Sequence, residues 1–187
     1  MAKRKRKREN MPSRKPILLR TAPSMQYQVN KIRQANEQKQ ERLLPLLEFD
    51  ESLQNNVDNL FEFDNDDLQH GRETLVFATA IFTISSVQHV ISEFEEKEDM
   101  TFEGKDENGY SYLWIRDTTD NKLSTVDAPS GTLRTLADIQ VNNDNTLVLD
   151  AKTKNRLIDL MLYLFNFLDT DMKLIKLELQ EVTDIFS

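Results

Sequence analysis

Residues 100–117 read MTFEGKDENGYSYLWIRD. Asn108-Gly109 between two such runs is a strong short-range hairpin signal, and it predicts an antiparallel pair from residues 100–105 and 110–117. In the second run Tyr110, Tyr112 and Trp114 alternate with Leu113 and Ile115, so rings and aliphatic groups point to opposite faces. Neither face is heavily charged, which predicts a strand inside the sheet.

Working outward, residues 74–84 (TLVFATAIFTI) are apolar and β-branched, an inner strand. Val87, Val90, Ile91 and Phe94 then share one helical face, followed by Glu95, Glu96, Glu98 and Asp99 as a solvated end. Residues 133–141 and 146–150 flank Asn142-Asn143-Asp144-Asn145, a second hairpin. Residues 152–169 read as a helix. In residues 172–182 Ile175, Leu177 and Leu179 alternate with Lys176, Glu178 and Gln180, a period of two and therefore a strand. The order β-α-β-β-β-β-α-β predicts an α+β fold, a mainly antiparallel sheet with helices on one face. A ferredoxin-like frame with an inserted hairpin is the leading topology. Residues 118–131, rich in Asp, Ser, Pro and Gly, form the long excursion.

The body from about residue 73 resembles an uncharacterised prokaryotic α+β module that in similar chains is sometimes found beside antitoxin-type segments. The resemblance rests on Leu75-Val76-Phe77, Tyr112-Leu113-Trp114, Ala137-Asp138-Ile139-Gln140-Val141 and Thr146-Leu147-Val148-Leu149 followed by a helix. It covers none of the N-terminal segment and implies no catalytic residue.

Ahead of the body the charge reverses. Residues 1–42 carry 13 Lys+Arg against 3 Asp+Glu, net +10, and residues 43–187 carry 11 against 29, net −18, which together give the −8 of the whole 187-residue chain. Lys3, Arg4, Lys5, Arg6, Lys7 and Arg8 stand in a row, with Arg14 and Lys15 close behind. Repulsion and the lack of apolar groups predict disorder when free, and Pro12, Pro16 and Pro23 oppose a continuous helix. Such a run can neutralise nucleic-acid phosphates, act as a nuclear address, or hold the acidic body of its own chain or an acidic partner. Ser24 caps a helix carrying Met25, Val29 and Ile32 on one stripe. Pro45 breaks it, and a short helix with Leu53, Val57, Leu60 and Phe61 follows, capped by Ser52 or Asp50. The expected organisation is a disordered basic arm (1–23), a helical connector (24–65) and an acidic α+β domain (66–187).

Much chemistry is excluded or weakened by composition. Zero cysteines remove disulfides and thiolate sites, and two histidines, His70 and His89, leave little for a His-based metal site or relay. Asp64, Asp66 and Asp67 fail as a calcium loop, because a loop starting at Asp64 has Gln69 where Gly belongs and Leu75 at its twelfth position. There is no G-x-S-x-G elbow and no phosphate-cradling glycine loop, with four glycines in all. No enzyme activity, cofactor or metal is expected. Residues 157–168 form the longest nearly apolar stretch, and its 12 residues are short of the ~20 a membrane helix needs. The N-terminal cations run into Glu9, Asn10 and Pro12 rather than an apolar segment, unlike a secretory signal. The expected location is cytoplasmic, or nuclear in a eukaryotic source, with no membrane partner.

Two functions fit. One is a nucleic-acid-associated accessory or regulatory protein, anchored by residues 3–8, Arg14 and Lys15 and docking other proteins through its body. The other is a protein–protein adaptor or assembly component whose arm is an address or an autoinhibitory segment. Tyr110, Tyr112 and Trp114 form a possible interface or stacking surface. If helices cover the Leu113 face, these rings lie on the open face, where RNA-recognition folds stack bases. The acidity of the body opposes that and favours packing or a protein interface. Residues 157–168 are apolar all round, so they need cover on more than one side: the connector helix, or a second subunit in a dimer.

Overall fold

The structure, a computed structural model, describes residues 25–62, 75–117, 133–168 and 171–181. Outside these lie residues 3–8, Arg14, Lys15, the Ser24 cap, the Asp64/Asp66/Asp67 cluster, His70, the boundary near residue 65 and the excursion 118–131. The described elements are α1 (Met25–Leu43), β1 (Glu48–Phe49), α2 (Gln54–Phe61), β2 (Val76–Ile84), α3 (Val87–Glu95), β3 (Met100–Lys105), β4 (Gly109–Asp117), β5 (Leu133–Asn142), β6 (Thr146–Ala151), α4 (Lys154–Phe165) and β7 (Met172–Glu181). They form an α+β fold around one seven-stranded sheet of order β1-β7-β2-β6-β5-β4-β3. Every pair is antiparallel except β1 with β7, so the sheet is mixed.

Local chemistry sets the element ends. Ser86 and Thr153 cap α3 and α4, their hydroxyls accepting from the amides of His89 and Arg156 at 3.2 Å. Such caps contribute about 1 kcal/mol each. Pro45 lies in a single 3-10 turn, Leu44–Leu46, which ends α1 and redirects the chain into β1. Asp50, expected as a helix cap, makes no capping hydrogen bond; its carboxylate accepts from Lys173 Nζ at 2.9 Å and ties this corner to β7.

The Asn108-Gly109 hairpin forms for a different reason from the one its sequence suggests. Gly109 opens β4 opposite Asn142, and a Cβ there would meet the Val141 carbonyl oxygen at 2.2 Å. Close approach of the neighbouring strand therefore requires the glycine. The turn is held by Asp106, whose Oδ1 accepts from the amides of Asn108 at 2.8 Å and Gly109 at 3.0 Å. Gly109→Ala is expected to cost about 1–3 kcal/mol through that overlap, read as a lower urea midpoint. An unchanged midpoint would show that β4 and β5 separate freely here.

The core lies between the sheet and the helices. Ala78, Ala80 and Phe82 of β2, Ile139 and Val141 of β5, and Leu147 and Leu149 of β6 pack with Val90, Ile91 and Phe94 of α3 and with α4. Leu43, Leu47, Val57 and Leu60 belong to the same core. Leu157, Ile158, Leu160, Met161, Leu162 and Leu164 of α4 are buried, and Tyr163, Phe165 and Phe167 of the same stretch are half-buried against the core. The alternation of Ile175, Leu177 and Leu179 is interrupted by a bulge in β7. Ile81 pairs with Lys176 and Phe82 with Leu174, which leaves Ile175 as a bulge residue 42% exposed while Leu174 takes the core position.

Candidate functional site: the aromatic strand and the acidic sheet face

The rings of β4 face the helices. Trp114 is 1% and Tyr112 2% exposed, and Tyr110 is half-buried with Lys105 Nζ 4.6 Å above its ring. The condition for base stacking, helices over the Leu113 face, is the reverse of what the sheet adopts. Nothing in period-two alternation says which of two uncharged faces meets the helices; ring size decides it, because α3 and α4 supply aromatic partners. Tyr112 meets Phe94 edge-on at 5.1 Å, and Trp114 stacks on Tyr163 at 5.7 Å with 17° between planes. Tyr163 continues into Phe167 at 5.0 Å, over which Lys97 sits at 4.6 Å. Arg116 lies 5.1 Å from the Trp114 ring.

Asp99 anchors this cluster. Its Oδ2 accepts from Trp114 Nε1 at 3.3 Å and its Oδ1 from the Tyr163 hydroxyl at 2.5 Å, while its backbone carbonyl accepts from the Ile115 amide at 2.8 Å. The solvated end predicted for Glu95–Asp99 thus stops short of Asp99, which is half-buried. The available signal was the chemistry of the rings: a buried Trp N–H or Tyr O–H needs an acceptor. Each carboxylate oxygen takes a neutral donor, an arrangement that fixes the β3–β4 margin against α4 and leaves neither oxygen without a partner.

Burial raises the Tyr163 pKa, the hydrogen bond to Asp99 and its negative charge add to that, and Arg116 opposes it. Tyr112 is raised as well, first by burial and then by Glu95. A raised folded pKa means that the Tyr163 contribution is complete below the unfolded value of 10.0 and is lost as pH climbs through the folded one. The melting temperature is expected to fall above about pH 10, and Tyr163→Phe to flatten that fall while costing about 1–3 kcal/mol at neutral pH. Identical alkaline melting curves for the two proteins would refute the coupling.

The opposite face is different in kind. Strand register aligns Glu178, Thr79, Asp150 and Asp138 in one row across β7, β2, β6 and β5. The Thr79 hydroxyl donates to Asp150, and Glu178 pairs with Lys176 at 2.8 Å. At one end, where the hairpin tips meet, Glu107, Asn108, Gln140, Asn142, Asn143 and Asp144 line an open cleft of about 440 Å³. Asn143 joins the tips, its backbone N–H donating to the Asn108 carbonyl at 2.8 Å and its Nδ2 to that of Glu107 at 3.1 Å. Asp144 is spent on its own turn, accepting from Thr146 N at 3.1 Å and Oγ1 at 2.6 Å. Among the described residues no group of three or more His, Asp or Glu is placed to hold a metal ion, and no helix is long and apolar enough to cross a membrane.

Comparison with protein-family models, curated proteins and solved structures finds no match to this chain.

Proposed function

We propose that the protein is a non-enzymatic, nucleic-acid-associated accessory or regulatory factor. In this reading residues 3–8, with Arg14 and Lys15, form the electrostatic anchor, and the acidic α+β body docks other proteins. The division of charge carries it: +10 over residues 1–42 against −18 over the rest. Burial of Tyr112 and Trp114 supports it, since the sheet then offers neither ring to a base and phosphate contact falls to the arm. α1 is clamped to the body by Leu43 in the core and by Lys39 Nζ on Asp159 Oδ1 at 2.7 Å. The arm therefore leads directly into a fixed helix.

For the body we favour a ferredoxin-like frame with β4 and β5 as the inserted hairpin. Leaving those two strands out gives the order β7-β2-β6-β3, that of two interleaved β-α-β halves. We take it as a module of the antitoxin-associated kind that its strand patterns resemble. A titration of labelled duplex DNA and single-stranded RNA at low salt tests the function: binding that weakens steeply with salt is expected. No binding to either would remove the role and promote the adaptor, which the edge strand β3 favours through Phe102, 54% exposed.

A further inference from the structure

The sheet ends on β3, and among the described residues no strand follows it. The Ile115 amide donates to the Asp99 carbonyl at 2.8 Å, and Met100, Thr101 and Phe102 continue that register against Trp114, Leu113 and Tyr112. Hydrogen-bonded and open pairs alternate along an antiparallel ladder. Thr101 therefore turns its backbone groups towards β4, and Phe102 turns its N–H and C=O outward, where a further strand would bond them. The Phe102 side chain ends a row of rings. Phe94 meets Tyr112 at 5.1 Å, Tyr112 meets Phe102 at 5.4 Å, and Phe102 is 54% exposed. Around this margin residues 95–107 carry seven Asp+Glu against two Lys, net −5, and both lysines, Lys97 and Lys105, lie over rings. We propose that β3 is the docking edge of the body, and that its partner is an extended cationic segment of another protein, added as a further strand with an apolar side chain against Phe102.

The proposal rests on the reading above that the acidic body docks other proteins, and it names the surface and the partner's chemistry. Outward backbone groups bond any extended chain and supply affinity, while alternate side chains supply specificity. Charge selects among the chains that fit. An acidic margin draws in a cationic segment and repels nucleic acid. It also opposes a second copy of this chain, since two such margins would set −5 against −5. The bulge at Glu103 ends the regular ladder beside Phe102. The contact is therefore short, and the charge and the ring supply what a longer ladder would. At the opposite margin the edge of β7 is already occupied: β1 pairs with Lys173 and Leu174, and Asn56 Nδ2 donates to the Leu177 carbonyl at 2.7 Å.

The test adds a labelled peptide of alternating Lys and Val to the full chain. The same peptide methylated at every backbone nitrogen keeps the charge and loses its donors, and a Glu/Val peptide reverses the charge. The first is expected to bind saturably at low salt, about tenfold or more tighter than either of the others, and Phe102→Ala to weaken it about threefold or more. Equal binding of the methylated peptide, or an affinity that Phe102→Ala leaves unchanged, would reduce the contact to charge attraction and overturn the docking. Absence of binding overturns it too. A second measurement needs no variant: peptide binding is expected to slow deuterium exchange at the Phe102 backbone amide about tenfold or more, and an unchanged rate overturns the edge pairing. Duplex DNA, titrated separately, keeps the two readings apart. Peptide binding without DNA binding removes the nucleic-acid role and leaves the docking edge in place, and DNA binding without peptide binding does the reverse.

Discussion

Deleting residues 1–65 is expected to leave a fragment that aggregates or dimerises and no longer unfolds cooperatively, whereas deleting residues 1–20 leaves the melting temperature within about a degree. The reason lies in how α1 and α2 are attached. Leu43, Val57 and Leu60 are fully buried and Leu47 nearly so. Burying such side chains contributes about 1.5–3 kcal/mol each, and four of them together approach the ~5–15 kcal/mol that separates a folded domain from its unfolded chain. Polar contacts reinforce the attachment. Asn56 Nδ2 donates to the Leu177 carbonyl of β7 at 2.7 Å, and Lys154 Nζ donates to the Asn59 and Glu62 carbonyls at 2.8 and 3.0 Å, closing the end of α2. Without this segment β7 loses its parallel partner β1 as well, becoming an exposed edge beside an uncovered α4. Light scattering on the size-exclusion peak, with urea unfolding, reads the outcome. A monomeric 66–187 fragment of undiminished stability would show that the connector is dispensable to the core.

What the sequence made legible divides along physical lines. Period-two and helical stripes are local signals, and they locate β2 to β7, both hairpins, α3 and α4. They also marked α4 as needing cover on several sides. Register and layer choice are global. Ile175 looks like a core residue in a strict alternation, and only pairing with β2 shows that a bulge pushes it out in favour of Leu174. The two residues of β1 are too few for any period. Asp99 belongs to a run of acids that reads as solvated until Trp114 and Tyr163 close over it. Tyr110, Tyr112 and Trp114 share one face, while the side on which the helices lie depends on Tyr163, 49 residues further on in α4. The opposed Asp138/Asp150 pair is invisible before the register is known, since 12 residues separate them in the chain.

Replacing Lys3, Arg4, Lys5, Arg6, Lys7 and Arg8 by Ser is expected to weaken nucleic-acid binding more than about a hundredfold at low salt. The melting temperature should move by no more than about a degree, because surface substitutions away from buried features stay within about 0.5 kcal/mol. If all six cations met duplex phosphates, log K against log salt would fall with a slope of about −5, from ~0.9 per neutralised phosphate. The measured slope should be shallower. The body at −18 repels the polyanion and competes for the arm, and both effects fade as the Debye length shrinks to about 8 Å at physiological ionic strength. Added salt therefore weakens the competitor together with the complex. Binding should be indifferent to base sequence, since phosphate contacts carry no sequence information and Trp114 and Tyr112 are committed to Tyr163 and Phe94. Tight binding retained by the six-fold variant would overturn the anchor and move the site to another basic surface, with exposed Lys31 of α1 the first to replace. A slope of the full −5 would mean that the acidic body does not compete for the arm, while leaving the anchor in place.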